Sequence, residues 1–241
     1  MTSAITFEKA SLRYGSHAVV YDFDTEIESG SVTGIIGLNG AGKTTLIKAA
    51  LGLREVSAGR ICVYGYEAGG FQAKKCLSYL PEHFLPPEFL NGYEFMDFAC
   101  RFYQGKPDRS TVLAYGATLG LDDATLSMRV QTYSKGMRQK LGIMSAVLSD
   151  APCLVLDEPM AGLDPESRIT VKRLLYQAHD QGKTVVLSSH ILADMDEMCD
   201  TLLVVNDTNL KFSGTPSELK RQSTTQSLEK SFLALVGDAA A

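Results

Sequence analysis

The sequence predicts an α/β fold. A mostly parallel sheet wrapped by helices is expected, with an antiparallel β sub-domain before it and a helical sub-domain inserted within it. Three observations carry this. The runs Val32–Ile36 and Cys153–Leu156 are predominantly apolar and carry no charge, the profile of strands buried on both faces. Strand-like and helix-like segments alternate at both ends of the chain. The middle, roughly residues 83–149, carries helical spacing alone.

Taken in order, residues 4–12 and 18–28 read as short strands around a turn at Tyr14-Gly15-Ser16. Val32–Ile36 ends in glycine and is followed by helical spacing over Lys43–Leu53. A strand at Arg60–Tyr64, a turn at Gly65, a helix over 69–76 and an extended stretch over 77–80 precede Pro81. Helical patterns cover Tyr93–Tyr103, Ser110–Leu119 and Lys135–Leu148. Strand, helix, strand, helix and strand follow at Cys153–Leu156, Glu166–His179, Thr184–Leu187, 191–198 and Thr201–Val205. One domain over residues 1–220 is expected. Residues 221–241 read as a tail, with a polar linker at Ser223–Ser227 and a short terminal helix.

The 241 residues are 45% hydrophobic and 21% charged, enough apolar material for a core, which excludes wholesale disorder. The net charge of −5 with no basic stripe argues against a nucleic-acid partner. No apolar stretch is long and glycine-free enough for a membrane helix, and no signal peptide is read. The cysteines at 62, 76, 100, 153 and 199 are odd in number and far apart, as expected of reduced thiols.

Gly37-Leu38-Asn39-Gly40-Ala41-Gly42-Lys43-Thr44-Thr45 matches GxxxxGK[ST] between a buried strand and a helix. Glycines let the backbone curl so that its N–H groups point at phosphate oxygens. The following helix adds positive potential at its N-terminus. Lys43 is placed to reach the β- and γ-phosphates of a nucleotide, and Thr44 to offer a hydroxyl to Mg²⁺. A second Gly-Lys-Thr at 182–184 lacks the upstream glycine, because residue 177 is Gln, and it precedes a strand. It reads as a turn, with Lys183 a solvated surface residue.

Cys153–Leu156 ends in Asp157-Glu158-Pro159. Carboxylates at the C-terminal end of a parallel strand face the crevice where such sheets bind ligands. Asp157 is a candidate Mg²⁺ ligand, and Glu158 a candidate base for an attacking water.

Kinases and small GTPases share those two features. The helix opening Tyr133-Ser134-Lys135-Gly136-Met137 just before the acid strand, the turn Ala161-Gly162-Leu163-Asp164-Pro165 and the later Ser188-Ser189-His190 separate this chain from them. Together these motifs resemble the ATP-binding cassette family, the nucleotide-binding domains of ABC transporters, over roughly residues 5–215. The resemblance implies a P-loop NTPase core that hydrolyses ATP with Mg²⁺. It places Tyr14 against the adenine and His190 at the γ-phosphate and the attacking water. Ser134, Lys135, Gly136 and Met137 stand where the family's LSGGQ signature stands, with serine and second glycine kept. In the family that signature completes the ATP site of a second cassette, and Asp164 crosses between the two. Glu82 stands where a glutamine is usual, a variant that resembles exporter cassettes, as does the ending Ser227–Leu233. Glu82 can approach Mg²⁺ or water, and repels γ-phosphate unless the metal intervenes.

The resemblance further implies a peripheral protein at the cytoplasmic face of a membrane, driving a separate transmembrane permease, for export. A soluble cassette ATPase acting on a ribosome or other cytosolic complex is the alternative; a P-loop kinase would have no reason to carry the signature. The Phe84–Leu90 segment reads either as the docking groove for the permease or as internal packing of the helical sub-domain.

Overall fold

Two long antiparallel strands, β1 (Ser3–Tyr14) and β2 (His17–Glu28), begin the chain. The architecture is that of a computed structural model, which describes residues 3–15, 17–102, 107–223 and 225–237. Each strand has twelve residues, longer than the apolar alternation suggests. The reason is a bulge. Ile5 and Phe7 face the core, then the phase changes and Ala10 and Leu12 do. The register shift lies between Phe7 and Ala10, where Lys9 adopts a φ of 47°. β4 (Ala58–Val63) pairs with the other edge of β1, and β5 (Tyr66–Glu67) with β4, giving the order β2-β1-β4-β5.

The main sheet uses β3 (Val32–Ile36), β6 (Leu77–Leu80), β7 (Cys153–Asp157), β8 (Thr184–Ser188), β9 (Thr201–Asn206) and β10 (Asn209–Gly214). Its order is β10-β9-β3-β8-β7-β6, parallel except for β10. Every residue of β3, β7 and β8 is buried, as their apolar runs require. Alternate residues serve opposite faces. Ile35, Val155, Val186 and Leu203 pack with β1, β2 and helix α1 (Lys43–Ala50). Ile36, Leu154, Leu156 and Leu187 pack with the helical side.

Helix α2 (Phe71–Lys75) precedes β6. Between β6 and β7 lie α3 (Gly92–Arg101), α4 (Arg109–Thr118), α5 (Asp123–Ser127) and α6 (Lys135–Val147). Asn91 and Glu94 form a reciprocal capping box on α3, and Ser134 caps α6. Helices α7 (Pro165–Asp180) and α8 (Leu192–Met198) make the crossovers from β7 to β8 and from β8 to β9. Helices α9 (Pro216–Gln222) and α10 (Leu228–Gly237) follow β10. Leu228, Phe232 and Val236 of α10 are buried in the helical-side core. No helix among the described residues is long and apolar enough to cross a membrane.

Three elements have weak sequence signals. α5 has only five residues, too few for a helical period, and its one mark is Asp122, which accepts from Thr125 N at 2.8 Å. β10 returns through a tight turn in which Asp207 and Thr208 both have positive φ. α9 begins with a capping box of Thr215 and Glu218. Of the polar linker at Ser223–Ser227, Thr224 lies outside the described residues.

Lys183 corrects the sequence reading. It is half-buried rather than solvated, and Nζ donates to the carbonyl oxygens of Val147 (3.0 Å) and Ser149. The last carbonyls of a helix lack intrahelical partners, and a cation there also complements the helix dipole. Burial pulls the Lys183 amine below the ordinary lysine pKa, against the opposing pull of Asp150. Lys183→Ala is therefore expected to remove about 1–2 kcal/mol, lowering the melting temperature by about 2–4 °C per kcal/mol. Thermal melts of the purified chain check this, and an unchanged midpoint would refute the capping role.

Candidate nucleotide-binding site

The parallel strands bring their C-terminal ends to one edge of the main sheet. β3 ends in the Gly37–Thr45 loop, β6 two residues before Glu82, β7 at Asp157 and Glu158, and β8 two residues before His190. A cleft of about 600 Å³ opens there, lined by Val19, Asn39–Thr45, Glu82, Asp157, Glu158 and His190.

The loop's glycines are needed at two points. A Cβ on Gly37 would lie 2.2 Å from the Val205 carbonyl oxygen. Gly42 has a φ of 102° and stands immediately before α1, where a side chain would press on the Val19 carbonyl oxygen at 2.9 Å. Lys43 is buried. Its ammonium lies across the loop and donates to the carbonyl oxygens of Gly37 (2.8 Å) and Leu38 (3.3 Å). Thr44 and Thr45 are half-buried in the first turn of α1, beside it.

Across the cleft, Ser188 organises the acid pair. Its hydroxyl donates to Asp157 Oδ1 at 2.5 Å and accepts from the Glu158 N–H at 3.0 Å. Asp157 Oδ2 is buried with no hydrogen-bond partner. An orphaned carboxylate oxygen is costly unless something binds it. With the nearby Thr44 hydroxyl it supplies the hard oxygen donors that suit Mg²⁺. Among the described residues no group of three or more His, Cys, Asp or Glu forms a metal cage, so such an ion would share its shell with phosphate oxygens and water.

Glu158 adopts a φ of 50°, a left-handed conformation that costs a non-glycine residue of order 1–3 kcal/mol. The turn directs its carboxylate to His190, whose Nδ1 lies 2.8 Å from Glu158 Oε2. A carboxylate can only accept, so Nδ1 carries the proton and Nε2 remains for another partner. The His190 ring is 60% exposed. Tyr79, half-buried on β6, registers the acidity of this edge. Its phenol is pushed up to about 12, first by burial and then by the negative charges of Asp157 and Glu82.

Other residues singled out from the sequence lie elsewhere. Ser134, Lys135, Gly136, Met137 and Asp164 do not line this cleft. They sit together: a Cβ on Gly136 would lie 3.6 Å from Leu163, and one on Gly162 would lie 3.7 Å from Lys135 Nζ. Ser134 Oγ accepts from Met137 N at 3.1 Å, so the α6 N-terminus is capped. Asp164 caps α7 by accepting from Ser167 N and Oγ at 2.9 and 2.6 Å, which holds its carboxyl below the usual aspartate range. Tyr14 ends β1 opposite His17, and its side chain lies outside the described residues. Sequence reasoning assigned no role to Ser188 itself. It also missed Gln139, a buried amide on α6 that donates to the Pro159 carbonyl at 3.1 Å and ties the helix to the Glu158 turn.

The family model described as ABC transporter matches residues 20–161. An uncharacterized ABC transporter ATP-binding protein of Synechocystis is 38% identical over 196 residues, which cover 80% of this chain and 55% of that protein. This chain thus spans little more than half the length of that relative. The Nod factor export ATP-binding protein I of Rhizobium etli is 30% identical over 220 residues, covering 90% of this chain and 70% of that one. A solved structure, the ATP-binding subunit of an ABC transporter, superposes with a TM-score of 0.88 at 29% identity over 97% of this chain and 99% of its own. Phosphate loop, paired acids, histidine and matched family together show that the chain belongs to the ABC transporter family, among its ATP-binding proteins.

Proposed function

We propose that this chain hydrolyses ATP in the Lys43–Glu158 cleft and thereby drives a separate transmembrane permease, in the direction of export. The observation that carries the hydrolytic reading is the Glu158–His190 contact, set opposite a phosphate-binding loop. The backbone N–H groups of Gly40, Gly42 and Lys43 and the Lys43 ammonium bind the β- and γ-phosphates. Thr44 and Asp157, with Glu82 nearby, would hold Mg²⁺, which would supply neutralisation of the phosphate charge. Glu158 takes the proton of the attacking water. The new bond joins that water's oxygen to the γ-phosphorus, and the bond to the bridging oxygen of ADP breaks. Glu158 hydrogen-bonds His190, whose free Nε2 is available to orient the γ-phosphate and the water. Phosphate release from ATP by the purified chain, with Glu158→Gln beside it, tests the reading.

Ser134, Lys135, Gly136, Met137 and Asp164 belong, in this reading, to the ATP site of a second cassette, so that two ATP molecules are sandwiched between two copies or paralogues. That they do not line the chain's own cleft supports this. Tyr14 stacks on the adenine. Residues 1–220 act as one ATPase domain, with 221–241 its appended tail. Export is supported by the relative named for Nod factor export and by the Ser227–Leu233 ending. The proposed location is the cytoplasmic face of the membrane, bound peripherally and without nucleic acid.

The segment after Glu82 divides into two parts. Phe84 packs edge-on against Phe95 with ring centres 5.7 Å apart, and fills the space that Gly142 leaves on α6. Leu85 and Phe89 are 80% and 72% exposed, and Phe98 and Phe102 are exposed on the neighbouring helix. Phe84 therefore anchors the segment, while Leu85 and Phe89 are proposed to meet a short helix of the permease. Phe84→Ala is expected to lower the melting temperature of the free chain, removing up to about 3 kcal/mol of stability for this half-buried ring. Phe89→Ala is expected to leave melting and basal turnover unchanged and to weaken co-purification with the membrane partner several-fold. Intact co-purification of Phe89→Ala would remove the docking role.

A further inference from the structure

Asp194 is a buried carboxylate that takes no part in the cleft. It lies in the first turn of α8, just after His190. Its Oδ2 accepts from Arg168 Nη2, and Lys172 Nζ lies 3.5 Å from Oδ1. Lys172 also reaches the exposed Glu197. Both cations project from α7, the helix that Asp164 caps, and Arg168 N donates to the Asp164 carbonyl oxygen at 3.0 Å. Arg168 Nε is buried without a partner, so this guanidinium depends on the Asp194 contact. Removing either member of such a pair leaves an uncompensated buried charge, which makes its geometry strict.

His190 needs that strictness because its ring is mostly exposed and little packing fixes it. Its place is set by the Glu158 contact and by the backbone on either side. Upstream, Ser188 is held by Asp157 and Glu158. Downstream, Ile191 N donates to Ser189 Oγ at 3.0 Å, and the Ile191 carbonyl receives Asp194 N and Met195 N at 3.2 and 3.4 Å. Ile191, the cap of α8, makes no side-chain capping bond. The start of α8 is thus fastened from α7 instead.

We infer that Asp194, Arg168 and Lys172 are positioning residues for His190, and that they link the Asp164 turn to the Glu158–His190 pair. A displacement of the Asp164 turn would travel along one turn of α7, through the ion pair, to the first turn of α8. The inference rests on the hydrolytic role proposed for Glu158 and His190, and it names how a partner pressing on Asp164 would regulate that site.

The test is Asp194→Asn in the full chain, with Glu197→Gln as control. The chain has four histidines, so the His190 ring resonance can be assigned by its loss in His190→Gln. Asp194→Asn is expected to lower kcat about tenfold, since small displacements of catalytic groups carry large rate losses. ATP affinity is expected to stay within about twofold, while the His190 resonance moves. Glu197→Gln is expected to do neither. Arg168→Lys keeps the charge but loses the planar fork, and is expected to move the same resonance less; it serves if Asp194→Asn does not fold. An unmoved His190 resonance in the folded variant, or unchanged kcat with only a lower melting temperature, overturns the inference. Failure of the hydrolytic reading is distinguishable, because Glu158→Gln would then keep its turnover while the resonance still reports on positioning.

Discussion

Glu158→Gln is expected to keep ATP binding and lose turnover by about 10²–10⁴-fold, the usual contribution of a positioned general base. The amide is nearly isosteric with the carboxylate, so the left-handed turn and its N–H bond to Ser188 survive. What is lost is the capacity to take a proton at neutral pH. The amide oxygen can still accept from His190 Nδ1, so the histidine need not move. With chemistry blocked and affinity intact, ATP is expected to hold two copies together, visible as a dimer on size exclusion with ATP and a monomer without it. Phosphate release at the parental rate would show that Glu158 is not the base. Lost turnover without an ATP-stabilised dimer would instead count against the shared-site arrangement of Ser134–Met137 and Asp164.

The parts of this site that were legible in the sequence are those whose chemistry is local. A backbone that must curl around phosphate demands glycine, and the close approach of Gly37 to Val205 and the φ of Gly42 show that demand being met. An acid pair at the end of an apolar run is legible because parallel strands deliver their C-terminal ends to one edge. What was not legible is tertiary. Ser188 looks like any strand-end serine until β7 and β8 pair and bring its hydroxyl to Asp157. Lys183 looks solvated because the carbonyls it caps lie more than thirty residues upstream, at and just past the end of α6. Phe84 and Phe89 are the same residue type in one short segment, and the space above Gly142 decides which one packs inward and which stays exposed. α5 and β10 went unread because five residues carry no period and a two-residue turn carries little composition.

Lys43→Ala is expected to weaken ATP binding by roughly 10–100-fold, as a charge-assisted hydrogen bond of about 1.5–3 kcal/mol is removed, and to abolish measurable turnover. The structural argument lies in where the ammonium sits. Lys43 is buried in the first turn of α1, and its Nζ is placed by the loop itself, on the Gly37 and Leu38 carbonyl oxygens. It is thus held across the loop at the edge of the cleft, where the phosphates are proposed to sit. Alanine leaves the loop standing, because Gly37 and Gly42 set the curl and the Ala41 N–H still bonds the Leu38 carbonyl at 3.1 Å. Residual weak binding is therefore expected rather than none, and the fold should persist. Lys183, the lysine of the second Gly-Lys-Thr, gives the opposite pattern. Its alanine variant is expected to melt lower, since the carbonyls of Val147 and Ser149 at and just past the end of α6 lose their donor, while ATP affinity stays within about twofold because Lys183 lies outside the cleft. Nucleotide titrations and thermal melts of both variants form a crossed comparison. Equal losses of ATP affinity in the two would show that the phosphate loop has been assigned to the wrong lysine. A Lys43→Ala chain that binds ATP like the parent would remove the ammonium from the site altogether.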